Sequence, residues 1–178
     1  MIELLTARTA ELDASALGEA RALLFEVFGA DLTEADWEHA LGGVHALLRE
    51  DGVLIGHAAV VPRVFRHDGR QLRTGYVEGV AVRADRQGRG HGSVLMGSIA
   101  GLVQGAYELG ALSSSDAAVE FYRNRGWQQW RGPLAAMTPH GEERPTPDEE
   151  GGVFVLPATA PLDLTGLLTC DWRSGDLW

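Results

Sequence analysis

Six residues, Gln87-Gly88-Arg89-Gly90-His91-Gly92, stand between an apolar run and a stretch with helical spacing. Glycines let the backbone approach a ligand closely, and free amides at a helix start, helped by the helix dipole, bind phosphate. Taken alone, the run describes a plain loop equally well. It lacks the Lys-Ser/Thr pair of a P-loop, and no ribose-binding acid follows a parallel strand as a dinucleotide site requires. Just upstream, Glu78 interrupts the otherwise apolar segment Tyr76 to Val82, a place from which a carboxylate accepts a proton or pairs with an arginine. Cys170 is the single cysteine, which rules out an intramolecular disulfide, and six scattered histidines without CxxC or HExxH spacing build no zinc site.

The elements that must hold these residues follow from periodicity. Residues 2–7 read as a short strand. A helix from about Asp13 carries Leu17, Leu24, Val27 and Phe28 on a helical period and stops at Gly29. Thr33-Glu34-Ala35-Asp36 has capping-box spacing, with Asp where Glu or Gln is usual, and predicts a second short helix closed by Gly42-Gly43. Apolar runs over 44–49 and 53–61 flank Asp51-Gly52, and Asp68-Gly69 separates 59–66 from a strand over 71–83. Both dipeptides suit tight primed hairpin turns. Beyond the glycine-rich turn at 88–92 a helix runs through Val94, Leu95, Ile99, Leu102, Val103 and Ala106, ended by Gly110. A short strand over 109–113 leads to Ser114 and Ser115, expected to cap a helix reaching about Asn124 before Gly126. Trp127 to Arg131 and Val153 to Leu156 read as the last strands, and 132–151, rich in Pro, Gly and charge, as a long loop. A meander combined with helices indicates the α+β class.

At 178 residues and 45% hydrophobic composition, the chain is expected to fold as one domain over 1–178. The N-terminus lacks the basic flank and apolar core of a signal peptide, and no segment approaches the ~20 apolar residues of a membrane span, so a cytoplasmic protein is expected. The net charge of −10 disfavours nucleic acid and favours cationic ligands, although acidity also serves solubility alone. From Glu142 onward eight acids face only Arg144 and Arg173, which concentrates the negative charge in the last part of the chain. All fifteen basic residues are arginine, for which no functional reason is evident.

The Gln87 to Gly92 pattern placed after Gly79-Val80-Ala81-Val82 resembles the coenzyme A signature of the GCN5-related N-acetyltransferase (GNAT) superfamily. Phe121-Tyr122-x-x-x-Gly126-Trp127 resembles that family's second landmark. More narrowly, Asp36-Trp37-Glu38-His39, Gly42-Gly43-Val44-His45, Gly75-Tyr76-Val77-Glu78-Gly79, Leu109 to Ser114, and Cys170-Asp171-Trp172-Arg173 with Gly175, Asp176 and Trp178 resemble the aminoglycoside 2′-N-acetyltransferases nearly end to end. The resemblance implies a mostly antiparallel mixed sheet flanked by helices, with strands splayed to form a coenzyme A groove, and a homodimer. It also implies acetyl transfer from acetyl-coenzyme A to the 2′-amine of an aminoglycoside, giving antibiotic resistance. An endogenous amine acceptor, or a coenzyme A-binding module without catalysis, are the alternatives.

On that resemblance the amine attacks the thioester directly, so Cys170 is not needed as a nucleophile and is expected to be a buried structural thiol. The reaction needs a route for the ammonium proton, a stabilised oxyanion and a proton for the departing thiolate. Glu78 is the implied base and Tyr122 the implied acid. Val80, Ala81, Val82, Gln87, Gly88, Arg89, Gly90, His91 and Gly92 are the implied coenzyme A contacts. Asp31, Asp36, Glu78, Gly79, Ser113, Asp148, Asp176 and Trp178 with its carboxylate are the implied acceptor contacts. An acidic group of this kind complements a ligand carrying several ammonium groups, while each acid singly is as readily a cap or a solvated face.

Overall fold

The computed structural model describes all 178 residues, Met1–Trp178. The chain divides into two compact units, one built from Met1–Val61 with Val77–Gly101 and the other from Pro62–Tyr76 with Leu102–Trp178. Two long strands, β3 and β4, contribute to both.

In the first unit, strand β1 (Ile2–Arg8) pairs antiparallel with β2 (Val44–Glu50), and β2 with the first part of β3 (Val53–His67). Asp51 and Gly52 turn between β2 and β3 with φ of +50° and +83°, the primed-turn geometry that their types favour. Helix α1 (Ala14–Phe28) starts where Asp13 accepts a hydrogen bond from the Ala16 N–H and ends at Gly29, whose φ is +58°. Helix α2 (Glu34–His39) opens on a complete capping box: the Thr33 N–H donates to Asp36 Oδ2 at 2.7 Å and the Asp36 N–H to Thr33 Oγ1 at 3.3 Å. Ala20, Leu23 and Leu24 of α1 and Trp37 and Ala40 of α2 bury against Leu47, Leu54, Ala59 and Ala81, which forms the core of this unit. Strand β4 (Arg70–Val82) and helix α3 (His91–Ala106) bracket the glycine-rich turn.

In the second unit the strands follow the hydrogen-bonded order β6-β9-β5-β4-β3-β10-β7-β8. β5 (Leu109–Ser113) lies parallel to β4, while β9 (Val153–Pro157) runs antiparallel to β5 and to the two-residue β6 (Gln128–Gln129). On the other side, β10 (Leu168–Cys170) joins β3 antiparallel and β7 (Leu134–Met137) parallel, with β8 (Glu143–Pro145) at the edge. Trp127, Trp130, Phe154 and Leu109 are fully buried in this unit.

Three expectations from sequence change. The segment 132–151 is not a structureless loop, because Leu134, Ala135 and Ala136 are buried and find a parallel partner in Leu168–Cys170, a strand the periodicity did not reveal. Gly110 does not end α3, which stops at Ala106; it sits inside β5, where a Cβ would come 2.9 Å from Val103 Cγ1 and 3.1 Å from Trp127 Cη2. Ser114 and Ser115 do not cap a helix through their side chains. A short 3₁₀ turn, Asp116–Ala118, intervenes before α4 (Val119–Arg123), and the Ser114 hydroxyl donates to the Ser115 carbonyl.

Candidate active site

In the first unit, Gly88 and Gly90 adopt φ of +73° and +86°, and residues 87–90 form an exposed turn directly before the sixteen-residue α3. The Ser93 and Val94 N–H groups already close onto the Gly90 carbonyl, at 3.0 and 3.2 Å, so the amides offered to a ligand are those that precede them. The turn is tied down at its base. Gln87 Nε2 donates to the Val82 carbonyl at 3.0 Å, and Arg86 bridges Glu50 at 2.5 Å and Asp85 at 2.7 Å. Positive-φ glycines and a long helix's first amides are the donor set that a pyrophosphate needs.

The pairing of β4 with β5 ends at Tyr76↔Ala111, so the main-chain groups of Val77–Val82 on that side are not consumed by β5. Within that segment Glu78, Gly79 and Val80 are all half-buried. Gly79 takes φ of +57°, a conformation that departs from a regular strand, and its carbonyl accepts from the ring of buried His57, Nδ1 to O 2.7 Å. A Cβ at Gly79 would sit 2.9 Å from Leu24 Cδ1 and 3.2 Å from His57 Nδ1, so a larger residue would have to displace these side chains as well as adopt a strained φ. Asp31 is exposed in the 3₁₀ turn Gly29–Asp31 that follows α1. Asp36 commits one carboxylate oxygen to the Thr33 cap.

In the second unit, Tyr122 on α4 is buried between Phe121, Trp127 and Phe154, with ring centroids 5.1, 6.4 and 6.5 Å away. Burial pushes its phenol up to about 12, while the nearby Arg125 pulls the other way. The hydroxyl therefore keeps its proton through the neutral range, as a proton donor must. Ser113 ends β5 opposite Val153, the neighbour of Phe154, so Ser113 and Tyr122 border the same strand. Asp148, Glu149 and Asp176 come together: Glu149 is raised above the usual carboxylate range first by burial, then by the charges of Asp176 and Asp148. Crowded carboxylates of this kind are relieved by a bound cation.

The last residues are fixed by side chains. Trp178 is buried, its indole N–H donates to Thr146 Oγ1 at 2.9 Å, and its ring meets Phe65 edge-on at 5.3 Å. Arg63 reaches the tail from β3, donating to the Leu177 carbonyl and to both the side chain and carbonyl of Asp171, each at 2.8 Å. Cys170 is 1% exposed and burial moves its thiol up to about 11, which fits a structural thiol. Neither Arg63 nor His57 nor Glu149 stood out in the sequence, and His45 did so only within a motif. For Arg63 and His57 the available signal was a lone arginine or histidine within the apolar run of β3.

A profile of the acetyltransferase (GNAT) family matches residues 14–127, which span the glycine-rich turn, the β4 segment with Glu78, and Tyr122. A relative named aminoglycoside 2′-N-acetyltransferase, from Mycolicibacterium fortuitum, is 47% identical over 174 residues, covering 96% of this chain and 89% of the relative. In fold, the chain is similar to the Escherichia coli GNAT family N-acetyltransferase YhbS, solved in complex with CoA. The TM-score is 0.65 at 20% identity, over 96% of this chain and 91% of that one. Escherichia coli ElaA gives a TM-score of 0.64 at 17% identity, over 87% of this chain and 99% of that one. A glycine-rich turn ahead of a long helix, a strand whose pairing with β5 stops just before a glutamate, and a family profile running through both lead to one conclusion: the chain belongs to the acetyltransferase (GNAT) family.

Proposed function

We propose that the protein, working over 1–178 as one acetyltransferase domain, transfers acetyl from acetyl-coenzyme A to the 2′-amine of aminoglycosides, and so confers resistance to them. The observation that carries the acceptor assignment is the 47% identity, nearly end to end, with the Mycolicibacterium fortuitum aminoglycoside 2′-N-acetyltransferase. Its physical support is the gathering of Asp148, Glu149 and Asp176, which suits a polycationic ligand.

The residues supply the reaction as follows. Amides of Gly88 to Gly92 hold the pyrophosphate of acetyl-coenzyme A, and Val80, Ala81 and Val82 offer main-chain groups to its pantetheine arm and to the developing oxyanion. Glu78 accepts the proton of the acceptor ammonium, freeing the amine to form the new C–N bond to the acetyl carbon. Tyr122 gives its phenolic proton to the sulfur as the C–S bond breaks, and the proton that the new amide nitrogen sheds restores the phenol, so one net proton leaves through Glu78. Asp31, Asp36, Gly79, Ser113, Asp148, Asp176 and Trp178 orient the acceptor. No metal is assigned a role, and the protein acts as a cytoplasmic homodimer; no helix is long and apolar enough to cross a membrane.

Release of coenzyme A with tobramycin and related drugs, followed by NMR of the product, tests the assignment. Acetyl on the 2′-nitrogen is the expected product, and drugs with a 2′-hydroxyl escape. Transfer to another amine would remove the regiochemical assignment; no turnover with any aminoglycoside would remove the acceptor class.

A further inference from the structure

Two buried histidines have no part in the chemistry assigned so far. His45 and His57 are both fully inaccessible, and four groups form one line: Thr9 Oγ1 to His45 Nε2 at 2.8 Å, His45 Nδ1 to His57 Nε2 at 2.9 Å, and His57 Nδ1 to the Gly79 carbonyl at 2.7 Å. Trp37 packs over both rings at centroid distances of 6.4 Å. The direction of the line is fixed by its last member. A carbonyl oxygen only accepts, so His57 carries a proton on Nδ1, and, kept neutral by its burial, it presents a bare Nε2. His45 must then donate from Nδ1, which leaves its own Nε2 to accept from the Thr9 hydroxyl. Thr9 Oγ1 in turn accepts from the Gly42 N–H at 2.9 Å. The Thr9 hydroxyl has the Gly43 carbonyl as a second acceptor at 3.4 Å, and the shorter 2.8 Å contact to His45 selects the sense in which both rings are neutral Nδ1–H tautomers.

We propose that His57, oriented by His45, is a positioning residue for acetyl transfer: by holding the Gly79 carbonyl it fixes the peptide that carries Glu78 on one side and the Val80 amide on the other. This rests on the active-site assignment above. Gly79 has left-handed φ, which a strand does not maintain by itself, and the His57 side chain holds its carbonyl from the side. There is little slack, since a Cβ on Gly79 would already crowd His57 and Leu24. The line cannot act as a proton wire, because it ends on a carbonyl that has no proton to give or pass on. Its effect is geometric. A second proton on His57 would face the His45 N–H and force that ring into its other tautomer, and burial guards against this by lowering His57 to about 4.

The test compares His57→Leu, which removes the donor, with His57→Asn, which keeps an N–H near the Nδ1 position. A misplaced reacting group costs up to about 10²-fold in rate, so H57L is expected to lower kcat by about 10- to 100-fold while acetyl-coenzyme A affinity stays within about threefold. H57N should regain about tenfold of the loss although both variants lose thermal stability. If kcat follows melting temperature equally in both variants, or H57L turns over like wild type, the positioning role is overturned. A readout independent of activity comes from ¹⁵N NMR of the wild-type protein, which also serves if H57L fails to fold. Both rings should show Nδ1–H and an unprotonated Nε2; a proton on His57 Nε2 would overturn the proposal. If the wild-type enzyme acetylates no aminoglycoside, the acceptor assignment falls, while the NMR result still decides whether His57 holds Gly79.

Discussion

Arg63 and Leu177 stand 114 positions apart in the chain and are joined by a 2.8 Å hydrogen bond from Nη1 to the carbonyl oxygen. The guanidinium side chain is only 4% exposed, and two further donors go to Asp171. A buried arginine with three fixed acceptors, stacked over Phe65 and Tyr76 at 5.2 and 4.8 Å, locks the tail more firmly than a surface pair would. Truncation after Gly175, or Arg63→Met, should therefore raise the aminoglycoside KM by about tenfold or more, an acceptor-binding loss of about 1.4 kcal/mol. Acetyl-coenzyme A binding, followed by calorimetry, should survive both changes. An unaltered KM for tobramycin in a folded truncation product would show that the tail is packing alone.

Tyr122→Phe keeps the ring among Phe121, Trp127 and Phe154 and removes only the hydroxyl. General acid catalysis is worth about 10²–10⁴-fold, so kcat should fall within that range at constant acetyl-coenzyme A affinity. Because burial raises the phenol to about 12, the wild-type rate should show no alkaline loss from this group near the ordinary tyrosine value of 10. Turnover within a few-fold of wild type would return Tyr122 to the core.

Gly90→Asp combines a side chain at φ of +86° with a carboxylate among the amides proposed to hold the pyrophosphate. Calorimetry should show acetyl-coenzyme A affinity reduced by about tenfold or more, each tenfold being about 1.4 kcal/mol. Affinity equal to wild type in a folded variant would remove the turn from the site.

Folding stability should depend on pH through His57. The unfolded chain takes up its proton near the ordinary histidine value of 6.5, whereas burial delays uptake in the folded protein to about 4. Between these values the unfolded state binds more protons, so stability rises with pH across this window and is lost on acidification, by about 3 kcal/mol at the full extent. His45, also lowered by burial, acts in the same direction. Urea midpoints measured from pH 7 down to 4.5 should decline, and H57L, though less stable throughout, should give a shallower slope. Parallel slopes would assign the pH dependence to other groups.

Features written in local chemistry were legible in the sequence. The Thr33/Asp36 box, the Asp51-Gly52 and Asp68-Gly69 turns and the glycine-rich turn each depend on a few neighbouring residues, and each takes the expected conformation. What escaped depends on partners far along the chain. Leu134–Met137 looks like part of a polar loop until Leu168–Cys170 pairs with it, and Gly110 looks like a helix stop until Val103 and Trp127 close around it. The candidate site divides in the same way. Glu78 and Tyr122 sat in motifs and Asp148 and Asp176 were implied by resemblance, whereas Glu149 gains meaning only by its crowding with those two acids. His57 was one histidine in an apolar run, and only the fold shows that it faces the Gly79 carbonyl.

Cys170, buried in β10 with its thiol 3.6 Å from the same Leu177 carbonyl that Arg63 holds, makes the tail's attachment chemically visible. A thiol covered this way and raised to about 11 offers almost no thiolate to an alkylating reagent while the tail is seated. Each detachment uncovers it, and since no other cysteine competes, the rate of maleimide labelling becomes a stopwatch for tail opening in the unmodified protein. An acceptor that draws the tail down should slow that clock.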